Sequence, residues 1–220
     1  MKKLFLSLTL LLVFERISAE DLRNQLAIDI PGVMTKVTDW RHHFHEFPEL
    51  SNREYKTQES IAQALIEMGL EPNLNYGITG VTAFIRGQNA GPLIALRADI
   101  DGLPVTEKLN LPFSSKEKTT YQGNEVGVMH ACGHDAHIAV LLGVASFLSQ
   151  NTDKLKGDIL LIFQPAEEGA PEGEEGGAEL MLKQGLFEAE KPDAIFGMHV
   201  ANFKNGQIWT KPGPIMASAE

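Results

Sequence analysis

The sequence predicts an α/β fold built on a mixed, largely parallel sheet flanked by helices. Three observations carry that prediction. Apolar residues recur at helical spacing early in the chain and again from residue 135. Nearly continuous apolar runs of strand length occupy 157–163 and 194–200, and helical and strand patterns alternate beyond residue 80. A strand that is apolar at every position suits a sheet covered on both faces.

Residues 1–19 read as a secretory signal: Lys2 and Lys3 precede the apolar run 4–14, and Ile17-Ser18-Ala19 ends in a small residue. The run is too short to span a bilayer, so a periplasmic or secreted protein is expected. Removing it takes away three basic and one acidic side chain, moving the net charge from -10 to -12. The domain itself is expected over 20–212.

Over 21–47, Leu22, Leu26, Ile30, Val33, Val37, Trp40 and Phe44 mark an amphipathic helix, or two if Pro31-Gly32 divides it. After the turn 48–51, Ser51 or Asn52 is placed to cap a second helix that runs to Met68 and stops at Gly69. The segments 80–86 and 93–98 read as short strands paired with each other. Ile138, Leu141, Leu142, Ala145 and Leu148 line one side of a helix over 135–148. A covered strand at 157–163, a mobile acidic loop at 167–177, a helix at 177–184 and a strand at 194–200 complete the order.

With 220 residues, 43% of them hydrophobic, the chain can bury a substantial core. A net charge of -10 without a basic patch argues against nucleic acid as a partner, because phosphate backbones attract basic faces. The single cysteine excludes an intrachain disulfide.

That cysteine lies in Met129-His130-Ala131-Cys132-Gly133-His134-Asp135-Ala136-His137, beside three of the seven histidines. Imidazole, thiolate and carboxylate are the common protein ligands of divalent transition ions, so the cluster points to a metal. Functional groups in open α/β sheets gather at the carboxyl ends of strands. Asp99 and Asp101, Glu167 and Glu168, and His199 all satisfy that rule. Each has a plainer explanation alone: Asp101-Gly102 as a turn, the glutamates as a solvated pair, His199 and Cys132 as core residues. Their joint occurrence favours a site with soft, intermediate and hard ligands for one ion or two. Adjacent glutamates cannot present the same geometry to one ion, so one can coordinate while the other acts as general base. The start of the 135–148 helix is expected to lower the Cys132 thiol pKa. A cysteine nucleophile is the weaker reading, since that chemistry needs one positioned base rather than a crowd of ligands.

Arg41-His42-His43-Phe44-His45 with Pro48-Glu49-Leu50-Ser51, Arg97-Ala98-Asp99-Ile100-Asp101-Gly102-Leu103-Pro104, His130-Ala131-Cys132-Gly133-His134-Asp135, Pro165-Ala166-Glu167-Glu168-Gly169 and Gly197-Met198-His199 follow one another in order. Together they resemble the motifs of the M20 metallopeptidase family, most closely its aminoacylase, hippurate hydrolase and auxin-conjugate amidohydrolase branch. The resemblance implies a zinc-peptidase-like catalytic domain and hydrolysis of N-acyl amino acids or related conjugates. It implies Cys132, His134, Glu168 and His199 as metal ligands, Glu167 as general base and Asp101 as an assisting residue. Two divalent ions, zinc or manganese, are expected. In relatives a lid domain inserted after the counterpart of 213–218 contributes to dimerisation and substrate binding. Residues 213–220 would be the start of its linker, leaving the lid and a final histidine ligand outside this chain. A truncated, non-catalytic remnant that retains partial metal binding is the alternative.

Overall fold

The computed structural model describes residues 19–213; the signal peptide expected over 1–19 lies outside them except for Ala19, and the linker expected over 213–220 except for Gly213. In chain order the elements are α1 (Ala19–Glu46), α2 (Tyr55–Glu67), β1 (Val81–Ile85), β2 (Asn89–Asp99), β3 (Lys118–Tyr121) and β4 (Asn124–Gly127). They continue with α3 (His134–Ser149), β5 (Lys156–Gln164), α4 (Gly177–Lys183) and β6 (Ala194–Gly197).

The main sheet has the order β1-β5-β2-β6. Strands β2, β5 and β6 run parallel and β1 is antiparallel, so the sheet is mixed and mostly parallel. The expected pairing of the 80–86 and 93–98 segments does not occur, because β5 lies between them. Alternation along β5 explains why. Leu161 and Phe163 pack with Ile61, Leu65, Ile138 and Leu142 from the helices on one face. Leu160 and Ile162 pack with Met181 and Leu186 on the other. A strand buried on both faces is most stable in the sheet interior, where each such side chain contributes about 1.5–3 kcal/mol by leaving water.

The α1 helix is continuous, with Pro31 inside it. Pro31 and Gly32 are exposed, so water can satisfy the backbone acceptor that proline leaves unpaired. Neither Ser51 nor Asn52 caps α2. Glu49 does so from outside the helix, accepting from the Thr57 backbone N–H at 2.8 Å and the Thr57 hydroxyl at 3.0 Å. At the other end the Leu70 N–H reaches back to the Leu65 carbonyl, and Gly69 is the stop the sequence predicts.

The β3–β4 hairpin was not anticipated by the strand reading. Its signal was the Gln122-Gly123 turn, both residues with positive φ, between Thr119-Thr120-Tyr121 and Val126. The 167–177 loop is also more constrained than expected. Asn52 donates to Glu174 and to the Glu175 carbonyl, and Arg53 forms a two-pronged ion pair with Glu174.

Candidate metal centre

The carboxyl ends of β2, β5 and β6 converge on the start of α3. Gly133 makes this junction possible: its φ of +97° is strained for any other residue, and an added Cβ would lie 2.3 Å from Val200 Cγ2. The next residue, His134, opens α3 fully buried, with His137 buried one turn on.

The hydrogen bonds fix the direction of the imidazoles. His134 Nδ1 lies 2.9 Å from the Asp101 backbone carbonyl, and His199 Nδ1 lies 2.6 Å from that of Val200. A carbonyl only accepts, so both Nδ1 atoms donate and both Nε2 atoms are turned into the site. His199 Nε2 is 3.3 Å from Cys132 Sγ. His134 Nε2 lies 3.6 Å from Asp99, 3.6 Å from Glu167 and 3.8 Å from Glu168. Neither His134 Nε2 nor Glu168 Oε1, both shut off from water, has a hydrogen-bond partner.

Three groups of donors are close enough to share an ion: Cys132, His134 and His199; His134, Glu167 and Glu168; and Asp99, His134 and His137. All four expected ligands therefore belong to one cluster that His134 links. A divalent cation fits this cluster, because it would satisfy the orphaned imidazole nitrogen and carboxylate oxygen together.

The electrostatics point the same way. Burial would lower His134, but its bond to Asp101 and the carboxylates of Asp99 and Glu167 raise it overall, so the site attracts positive charge. Burial, then Glu168, Glu167 and Asp99, push the Cys132 thiol up to about 12. The expected lowering by the α3 N-terminus is thus reversed: desolvation and three carboxylates outweigh a half-charge at the helix end. Burial and Asp99 also raise Glu167.

Asp101 is placed behind His134 rather than in the cleft. Its Oδ2 accepts from Ser51 Oγ at 2.8 Å and from the Glu168 backbone N–H at 2.9 Å, and its backbone carbonyl accepts from His134 Nδ1, so Asp101 holds two of the expected ligands at once. Burial would raise it, but the bonds from His134, Glu168 and Ser51 lower it overall.

The structure adds supporting contacts that the sequence does not show. Asp99 Oδ1 is 2.5 Å from His137 Nδ1, and His137 Nε2 accepts from the Val200 N–H at 2.9 Å, which ties the segment after β6 to α3. Burial would raise Asp99, but His137, His134 and Arg97 hold it down to about 2. Arg97 spans Asp99 and Gln164. Asp99 stands among the strand-end candidates and Arg97 in the same motif, but spacing alone does not show which groups they bind. Beside the centre, a cleft of about 430 Å³ is lined by Arg41, His45, His130, Cys132 and Asp135. His45 bonds Asp135 at 2.9 Å and is raised mainly by that contact. Burial lowers His130 to about 4, leaving it neutral.

The profile of Peptidase family M20/M25/M40 matches residues 95–213. Thermostable carboxypeptidase 1 of Saccharolobus solfataricus is 42% identical over 202 residues, covering 91% of this chain and 48% of the relative. The hippurate hydrolase of Campylobacter jejuni is 41% identical over 195 residues, covering 88% of this chain and 46% of the relative. Among solved structures, a Bacillus subtilis dinuclear metal binding peptidase from the M20 family superposes with a TM-score of 0.67 at 43% identity, covering 77% of this chain and 44% of that one. The chain thus spans about half the length of the curated relatives it matches.

Proposed function

The chain belongs to Peptidase family M20/M25/M40, and on that premise we propose that it serves a metal-dependent amidohydrolase that cleaves the amide bond of N-acyl amino acids or related conjugates. The observation that carries the reading is the orphaned pair, His134 Nε2 and Glu168 Oε1, set among Cys132, Glu167 and His199.

Cys132, His134, Glu168 and His199 would hold the metal, with Asp99 close enough to His134 to add a donor at a second position. When bound, two divalent ions, zinc or manganese, supply Lewis-acid polarisation of the scissile carbonyl and acidify water. The thiolate donor favours zinc. Glu167 takes the proton from the attacking water and returns it to the leaving amine. Burial and Asp99 raise its pKa, which makes it a better proton acceptor than an ordinary carboxylate. Asp101 fixes the tautomer of His134 through its backbone carbonyl and the position of Glu168 through its side chain. The relatives named for hippurate hydrolysis and for carboxypeptidase activity support an amide substrate. Export is part of the proposal and rests on Lys2, Lys3 and the apolar run 4–14.

A second reading, metal binding with little turnover, is favoured by one observation: His199 and β6 are exposed, and water weakens the fields on which such catalysis depends. A hydrolysis screen over hippurate and N-acetyl amino acids separates the two. The proposal expects turnover that a chelator abolishes and zinc or manganese restores. Stoichiometric metal binding without turnover supports the second reading. Chelator-resistant turnover abolished by iodoacetamide contradicts both.

A further inference from the structure

The turn between α1 and α2 holds a carboxylate for which the chemistry above has no use. Glu54 is completely buried. Its Oε2 accepts from Thr79 Oγ1 at 2.5 Å, and its Oε1 accepts from the Ala166 backbone N–H at 2.9 Å. Ala166 immediately precedes Glu167 and Glu168. It is buried, and its φ of +49° lies in the left-handed region that a side chain rarely adopts.

Two physical demands meet at Ala166. A buried N–H needs an acceptor, and a non-glycine residue at positive φ persists only where its surroundings over-determine it. Glu54 meets the first demand and contributes to the second. Its neighbours act on the same loop: Ser51 donates to the Asp101 carboxylate that also accepts the Glu168 N–H, and Asn52 and Arg53 hold Glu174. The turn 51–54 therefore grips the segment 166–175 at three points, one of them directly beside the glutamates.

We propose that Glu54 is a positioning residue which, by accepting the Ala166 N–H, holds the 165–168 turn so that Glu167 points into the cleft. The inference rests on the reading of Glu167 as general base. Burial leaves the Glu54 carboxyl at about 7, and either protonation state retains an oxygen that can accept from Ala166. A glutamine retains such an oxygen as well; a leucine fills a similar volume without one.

The test compares E54Q, E54L and E54D in the metal-loaded chain, reading kcat and KM for N-acyl amino acid hydrolysis, metal content, and hydrogen exchange at the Ala166 amide. E54Q is expected to keep kcat and a protected Ala166. E54L is expected to keep metal and KM but to lose kcat by about 100-fold, the scale on which a small misplacement of a reacting group acts, with Ala166 exchanging rapidly while the β5 amides stay protected. If E54L does not fold, E54D decides, because one methylene less cannot reach both Thr79 and Ala166. Parental kcat and a protected Ala166 in E54L or E54D would overturn the inference, as would an E54Q as impaired as E54L. If the parent chain shows no hydrolysis, the reading of Glu167 fails, and exchange at Ala166 still decides whether Glu54 holds the turn.

Discussion

His134 Nε2 and Glu168 Oε1 face each other at 3.8 Å, both sealed from solvent and neither hydrogen bonded. Two inward lone pairs at this separation repel unless a positive charge lies between them. Glu167, its Oε2 at 3.6 Å from the same nitrogen, is the more exposed of the two glutamates. The greater exposure of Glu167 supports the proposed division of labour, in which Glu168 coordinates and Glu167 carries the proton. Glu167→Gln is expected to leave metal content nearly intact and to reduce hydrolysis by about 100-fold or more, the usual worth of a general base. His134→Ala is expected to lower both. Metal analysis of the two purified variants checks this, and equal metal loss in both would reverse the assignment.

In the metal-free chain Cys132 should be a poor nucleophile. With its thiol pushed up to about 12 by burial and the neighbouring carboxylates, its thiolate fraction at pH 8 is about three orders of magnitude below that of an ordinary cysteine. Iodoacetamide labelling of the chelator-treated chain should be slow at pH 8, faster in Glu168→Gln, and faster still in urea. Equal rates in the folded and unfolded chains would show that the carboxylates do not act on the thiol.

Gly133 joins the helix to the site by a conformation and a contact that no side chain can share. Gly133→Ala would strain the backbone and drive a methyl group into Val200, beside His199. We expect a loss of about 1–3 kcal/mol of stability together with weaker metal binding, measured by denaturant unfolding and metal titration. Unchanged metal affinity would mean that His199 does not depend on this junction.

Stability should fall with rising pH through Glu54. Its carboxyl is held at about 7 in the folded chain against 4.5 as the ordinary value, mainly by desolvation. A raised folded-state pKa means that the folded chain binds the proton more tightly. This contribution is therefore complete below about pH 4.5 and is lost as pH rises through about 7. Glu54→Gln cannot titrate, so its unfolding free energy should be flatter over that window. Parallel curves for parent and variant would show that the carboxyl titrates normally.

The cluster of candidate ligands was more legible in the sequence than the architecture that supports it. Cys132, His134, Glu167, Glu168 and His199 were legible because motif order and strand ends bring uncommon residue types together, and the structure places them in one cluster. The strand order was less accessible: the 80–86 segment looks like a natural partner for 93–98, and only the two-sided burial of β5 explains its insertion. Asp101 was found, but its place behind His134 was not, since spacing cannot distinguish a side chain aimed into a cleft from one aimed at a neighbour. Glu54 gave no signal. In Asn52-Arg53-Glu54 it reads as surface charge, and only the contact with Ala166, 112 residues away, reveals its burial.

X-ray absorption at the zinc edge of the zinc-titrated chain tests the central claim most directly. The account predicts one sulfur at about 2.3 Å and nitrogen or oxygen donors at about 2.0–2.1 Å, with the sulfur lost in Cys132→Ser while zinc remains bound more weakly. Zinc bound without sulfur in the parent chain, or no stoichiometric binding at all, would contradict it.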